Sequence, residues 1–209
     1  MAGAAAILED GSTLSRLDRA LFRLEGWLAL ISGLAVFGLM VLAVISVGGR
    51  NFFNQPLPGY VDWIQQAMPL IAFMGIAYTQ RLGGHIRMDI LVGALKGRPL
   101  WAAEFVTTLA VLILMALLVW GSWAHFLRSF DFGAPMWSRD SSFDINLPLW
   151  PAKLLAPVAF SVLCLRLLLQ LWGFGRAFLL GLSEPVAVPL VMSAAEQAAA
   201  EARAMSDGD

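Results

Sequence analysis

The chain has 209 residues, 59% of them hydrophobic and only 14% charged, with a formal net charge of −1. Soluble domains carry roughly 25% charged residues, so a water-soluble fold, a disordered or collagen-like chain and a nucleic-acid binder are excluded. The one cysteine, Cys164, removes a disulfide framework and a multi-thiolate metal site, and an integral membrane protein remains.

In chain order, residues 13–26 place Leu14, Leu17, Leu21 and Leu24 on one helical face, with Arg16, Arg19 and Arg23 off it. This pattern suits an amphipathic helix at the membrane surface; the other reading is a plain extension of the span that follows. Trp27–Val47 is an uncharged run of 21 residues, long enough to cross a bilayer as a helix. It is too long for the apolar core of a cleavable signal, and no small-residue cleavage site follows it, so it reads as a retained anchor. The stretch Arg50-Asn51-Phe52-Phe53-Asn54-Gln55-Pro56 comes next. Asn54 and Pro56 are turn residues, and a short outer turn brings Arg50 near Asp62, where the two can pair.

Asp62 opens the second apolar segment, about 62–80, softened by Gln65, Gln66 and Pro69. The cluster Gly83-Gly84-His85-Ile86-Arg87-Met88-Asp89 follows it. Taken by themselves, both polar clusters are loop chemistry at helix ends. The third span covers about 103–127, with His125 near its end. The outer stretch Arg128–Leu147 holds Asp131, Arg139, Asp140 and Asp144, and is either a solvated loop or a surface that touches a partner. The fourth span, about 150–175, is interrupted by Lys153, Pro157 and Arg166. The tail from Ser183 sets Glu184, Glu196, Glu201, Asp207 and Asp209 against Arg203, a net charge of −4, and reads as solvated and partly disordered.

The apolar runs are continuous rather than alternating, so helices are expected and barrel strands are not. The expected fold is an all-α membrane protein of four transmembrane helices plus an N-terminal amphipathic interfacial helix. Residues 1–26 form a cytoplasmic segment, 27–175 the four-helix membrane domain and 176–209 a cytoplasmic tail. Trp27, Trp63, Trp101, Trp120, Trp123, Trp150 and Trp172 fall near span ends, as an interfacial aromatic belt requires. Eight Lys and Arg residues flank the spans on one side and four on the other, which places both termini in the cytoplasm.

Chemistry-bearing motifs are scarce. His85 and His125 lie at opposite ends of the spans and cannot share a haem or a metal. No HExxH, GxSxG or glycine-rich GK[ST] element occurs, so no enzyme and no catalytic, substrate-binding or metal site are expected. Arg166 is the one clear ionisable group inside a span. It is either at the inner edge or in a structural pair, or else it meets acidic or carbonyl groups of a partner chain. Small residues such as Ala29 and Gly33, or Gly75 and Thr79, allow close helix approach, whether to this chain's own helices or to a partner's.

The two polar clusters, in this order around the second apolar segment, resemble the small membrane subunit of tripartite ATP-independent periplasmic (TRAP) transporters, the DctQ-like family. The residues that carry the resemblance are Arg50, Phe53, Asn54 and Pro56, then Asp62, then Gly75 and Ala77, then His85, Arg87 and Asp89. In span number and length it extends from about residue 15 to 180. Where many relatives open the second span with two adjacent acids, this chain has Val61-Asp62. The resemblance implies a scaffold subunit in the bacterial inner membrane. Its partners would be a large permease subunit, a periplasmic substrate-binding protein and membrane lipids. The large subunit would carry the sodium ions and the organic acid, and this chain would hold no cofactor. Arg50, Asn54, Asp62, Gly75, His85, Arg87, Asp89 and Arg166 are the candidate structural or subunit-interface residues. A membrane anchor or redox subunit of another complex, or a small autonomous carrier, are the competing readings.

Overall fold

The computed structural model describes residues 13–81 and 98–180, so the His85–Asp89 element and the tail lie outside the described residues. The first element, α1 (Thr13–Phe53), is one unbroken helix of 41 residues. At 1.5 Å per residue it is about 60 Å long, roughly twice the hydrocarbon thickness. The expected separate surface helix is therefore the first turns of α1, which is the plain extension of the span. Of the leucines on the expected apolar face, two remain outward. Leu17 and Leu24 are 49% and 45% exposed, whereas Leu14, Ser15, Asp18 and Glu25 are buried. In lipid the outward face is the apolar one, and polar groups turn inward to find partners.

Asn54 ends α1 in the left-handed region, at φ 54°, a conformation that Asn tolerates at helix C-termini. The amide of Gln55 then donates to the carbonyl of Gly49 at 3.2 Å. The second apolar segment is two helices, α2 (Tyr60–Met74) and α3 (Ile76–Arg81), of 15 and 6 residues. Pro69 lacks the amide that α2 would otherwise use, and Gly75 separates the two pieces with its N–H on the carbonyl of Phe73. Two long helices follow, α4 (Arg98–Ser129) and α5 (Trp150–Leu180). Residues 130–149 join them through a 3-10 turn, Pro135–Trp137, and two isolated bridges, Phe130 to Ser138 and Ser141 to Pro148.

Among the described residues three helices are long and apolar enough to cross a membrane: α1, α4 and α5. The fourth expected span is the broken α2–α3 pair, neither piece of which is long enough by itself. In α5, 39% of the most apolar stretch is buried, against 11% in α4 and none in α1. α5 thus packs most closely, and α1 presents its apolar side chains outward. The buried positions of α5 include Ala152, Pro157, Ala159, Val162, Leu163, Arg166, Leu167, Gln170, Phe174 and Ala177, most of them at helical spacing.

The chain divides into two compact units. One draws its described residues from Met1–Leu21, Thr79–Leu112 and Leu165–Asp209. Its apolar core is Trp101, Phe174 and Ala177, with Leu100 and Phe105 against them. Trp101 stacks on Phe174 at 6.2 Å and is 6% exposed, so it is a packing residue rather than a member of the interfacial belt. The other unit comprises Phe22–Tyr78 and Ile113–Cys164. There Phe73 meets Phe160 edge-on at 5.2 Å, and the hydroxyl of Ser32 donates to the carbonyl of Ile71 at 3.1 Å. At the loop end of this unit Phe130 packs on Phe126, Phe132 and Trp150.

Candidate functional site

The first unit contains a buried ionic cluster. Arg166 Nη1 donates to Asp18 Oδ1, and Arg81 Nη2 donates to Asp18 Oδ2 at 2.8 Å. Arg166 is 0% exposed and Asp18 1%. One carboxylate from the start of α1 thus joins guanidinium groups from the end of α3 and the middle of α5. One turn further along α5, Gln170 accepts a hydrogen bond at 2.9 Å from Gln80 Nε2, the neighbour of Arg81. A lone buried charge costs several kcal/mol, which is offset only when a partner and further hydrogen bonds are in place. Arg166 thus has an acidic partner within the chain.

The second unit holds an anchored loop. Asp62, in the first turn of α2, is 2% exposed. Its Oδ2 accepts the Ser142 hydroxyl at 2.6 Å, the Asp144 amide at 3.0 Å and the Ile145 amide at 2.8 Å. Asp144 reciprocates by accepting the Gly59 amide at 2.7 Å. Gly59 precedes α2 with φ 70°, the left-handed region that only glycine enters without strain. Gln66 Nε2, one turn beyond Asp62, donates to the carbonyl of Pro148. The loop is thus held to the N-terminal end of α2 at several points, and the negative charge of Asp62 suits that end of a helix dipole.

The remaining loop charges are also occupied. Asp131 accepts the Gly133 amide at 2.9 Å and Arg139 Nε at 3.0 Å, which together hold its carboxyl below the usual carboxylate range. Lys153 Nζ, 2.6 Å from Asp140 Oδ2, and the Ser129 hydroxyl, at 2.8 Å, lower the Asp140 carboxyl in the same way. Asp131 and Arg139 bond within the loop and stay solvent-exposed, whereas Asp140 reaches Lys153 and Asp144 reaches Gly59.

The sequence-derived candidates therefore fall into separate places. Arg50 lies exposed near the end of α1 and does not reach Asp62. The expected pair is replaced because loop donors fill the carboxylate before any guanidinium does. Asn54 terminates α1, and Gly75 separates α2 from α3. His85, Arg87 and Asp89 lie outside the described residues. Sequence reasoning did not single out Asp18, Gln80, Gln170, Gly59, Ser142 or the partner role of Arg81. The available signal for Asp18 was an acid among three arginines beside a span, facing a later span that contains an unmatched Arg166. Among the described residues no group of three or more His, Cys, Asp or Glu could hold a metal ion. What the two clusters do chemically is fix helices and a loop.

The family model described as "Tripartite ATP-independent periplasmic transporters, DctQ component" matches residues 39–176. The match runs from the middle of α1 into the last turns of α5 and covers well over half of the chain. No curated protein matches this one.

Proposed function

The chain belongs to the DctQ family of tripartite ATP-independent periplasmic transporters, and we propose that it is the small permease subunit that scaffolds a large, sodium-coupled elevator subunit. The large subunit takes up an organic acid that a periplasmic binding protein delivers. Both termini of this chain face the cytoplasm of a bacterial cell, as the excess of flanking Arg and Lys suggests. The observation that carries the scaffold role is the buried bridge of Arg166 and Arg81 to Asp18. Intramembrane charges in transport routes line cavities and exchange partners, whereas these hold three helices together. Enzymatic chemistry is no part of the proposal, and sodium is assigned to the large subunit.

The test is reconstitution. The full chain is expressed with a tagged large permease subunit of the same transporter, purified in detergent and assayed for sodium-dependent uptake with the binding protein present. The expected result is a stable complex whose uptake requires both membrane subunits. Solute flux through liposomes that contain this chain alone would overturn the reading.

A further inference from the structure

Beyond the end of α4 the loop of the second unit carries an exposed apolar patch. Phe132, Met136 and Trp137 are 79%, 64% and 54% exposed, yet the backbone beneath them is fixed. Met136 and Trp137 have φ 53° and 58°, left-handed values that bulky residues keep only where their surroundings hold them there. Here the Asp131 amide donates to the Trp137 carbonyl at 3.1 Å, and the Trp137 amide donates to the Ala134 carbonyl at 3.0 Å. The Trp150 indole donates to the Met136 carbonyl at 3.1 Å. The patch is also continuous with the end of a membrane helix. Ring contacts run from Trp123 through Phe126 and Phe130 to Phe132, and from Phe132 through Trp137 to Trp150.

We propose that this patch inserts into the membrane–water interface, so that the first half of the loop lies on the lipid beside α4 and α5. These helices have 32 and 31 residues and are about 48 and 47 Å long. A bilayer with its headgroups measures roughly 40–45 Å, so the loop leaves from and returns to the headgroup layer. Ring contacts of 4.8–6.4 Å hold Phe132 and Trp137 at that level, where aromatic side chains are favoured. Area decides between lipid and a partner protein. At roughly 150–250 Å² for a large side chain, the three residues expose together about 400 Å². That is half of the roughly 800 Å² each partner supplies to a stable protein interface, whereas insertion into lipid has no such minimum. Insertion also leaves the neighbouring charges in place, because Asp131 bonds to Arg139 and Asp140 to Lys153. Phe143 is exposed as well, but it belongs to the half of the loop that Asp62 holds. The inference rests on the membrane reading of these helices and not on the transport role.

Depth-resolved fluorescence quenching of the full-length chain in phosphatidylcholine nanodiscs tests it. On a Cys164→Ala background, Phe132→Cys, Met136→Cys and, at the exposed middle of α4, Ile113→Cys each carry one environment-sensitive fluorophore. At 132 and 136 a lipid spin label near the headgroup should quench more than one deep in the acyl chain, and at 113 the order should reverse. Aqueous iodide should quench the fluorophores at 132 and 136 several-fold less than the free dye. Helical content measured by circular dichroism identifies variants that fold, and the result at 113 checks the membrane span independently of the loop. Iodide quenching equal to that of the free dye at both loop positions, with no effect of either lipid spin label, would overturn the proposal. So would shielding that develops only when a large permease subunit is copurified, since a partner protein would then cover the patch.

Discussion

Arg166 and Asp18 stand 148 positions apart in the chain and meet as a buried ion pair, with the second carboxylate oxygen of Asp18 taken by Arg81. One carboxylate therefore bonds two cations, and the three residues are not equivalent. Asp18→Asn removes the charge that both guanidinium groups share and is expected to cost about 3–5 kcal/mol, the usual loss when one partner leaves a buried pair. Arg166→Met should cost less, because Arg81 still compensates the carboxylate. Unfolding of the two variants in detergent gives the ranking directly. Equal losses, or a larger loss for Arg166→Met, would contradict the bridge.

Gly59 is a glycine that the fold does not readily exchange. It has φ 70°, and an added Cβ would stand 2.7 Å from Ile145 Cγ1. Left-handed backbone costs an ordinary residue about 1–2 kcal/mol, and overpacking adds roughly 1–3 kcal/mol. Gly59→Ala should therefore destabilise the protein by about 2 kcal/mol or more. Gly33→Ala, with nothing within 4 Å of the new Cβ, should be neutral or slightly stabilising. Thermal midpoints of the two variants decide this, and equal midpoints would argue against the Gly59–Ile145 contact.

Much of this architecture is legible before any coordinates. The apolar runs give α1, α4 and α5, and Asn54 marks the end of α1 by its tolerance of the left-handed conformation. The break at Gly75 is not legible, because a glycine within an apolar run is equally compatible with a continuous membrane helix. Periodicity puts Leu17 and Leu24 on an apolar face, which the structure leaves exposed, but it does not show that Asp18 and Glu25 are buried. Asp62 was recognised as a candidate, but its partners, Ser142 and the amides of Asp144 and Ile145, lie about 80 positions away. No local spacing rule connects them.

Loss of Asp62 should loosen the loop and leave the helices intact. In Asp62→Ala, three donors lose their acceptor, and limited proteolysis should cut within residues 141–149 several times faster than in the wild type. Arg50→Ala should leave the cleavage rate unchanged, because Arg50 takes no part in the anchor. If both variants open the loop equally, a pair between Arg50 and Asp62 would have to be reinstated.

The Lys153–Asp140 pair gives the loop a pH dependence of known sign. Lys153 and Ser129 depress the Asp140 carboxyl in the folded state, so its stabilisation is complete above the unfolded-state pKa of about 3.9. It is lost as pH falls through the lower folded-state value. Wild type and Asp140→Asn should thus differ in thermal midpoint at pH 7, and the gap should close as the pH falls below about 4. The comparison cancels the parallel titration of Asp131, which Gly133 and Arg139 shift in the same direction. A gap that widens in acid would reverse the assignment.

The central claim is that this chain supports a transporter without providing a route of its own. The most direct measurement is sodium-driven uptake in proteoliposomes, with the binding protein added outside, for three preparations: this chain alone, the large permease subunit alone, and both together. The account predicts uptake only from the two subunits together, and a leak-free membrane from this chain alone. Solute flux with this chain alone, or full uptake by the large subunit without it, would contradict the account.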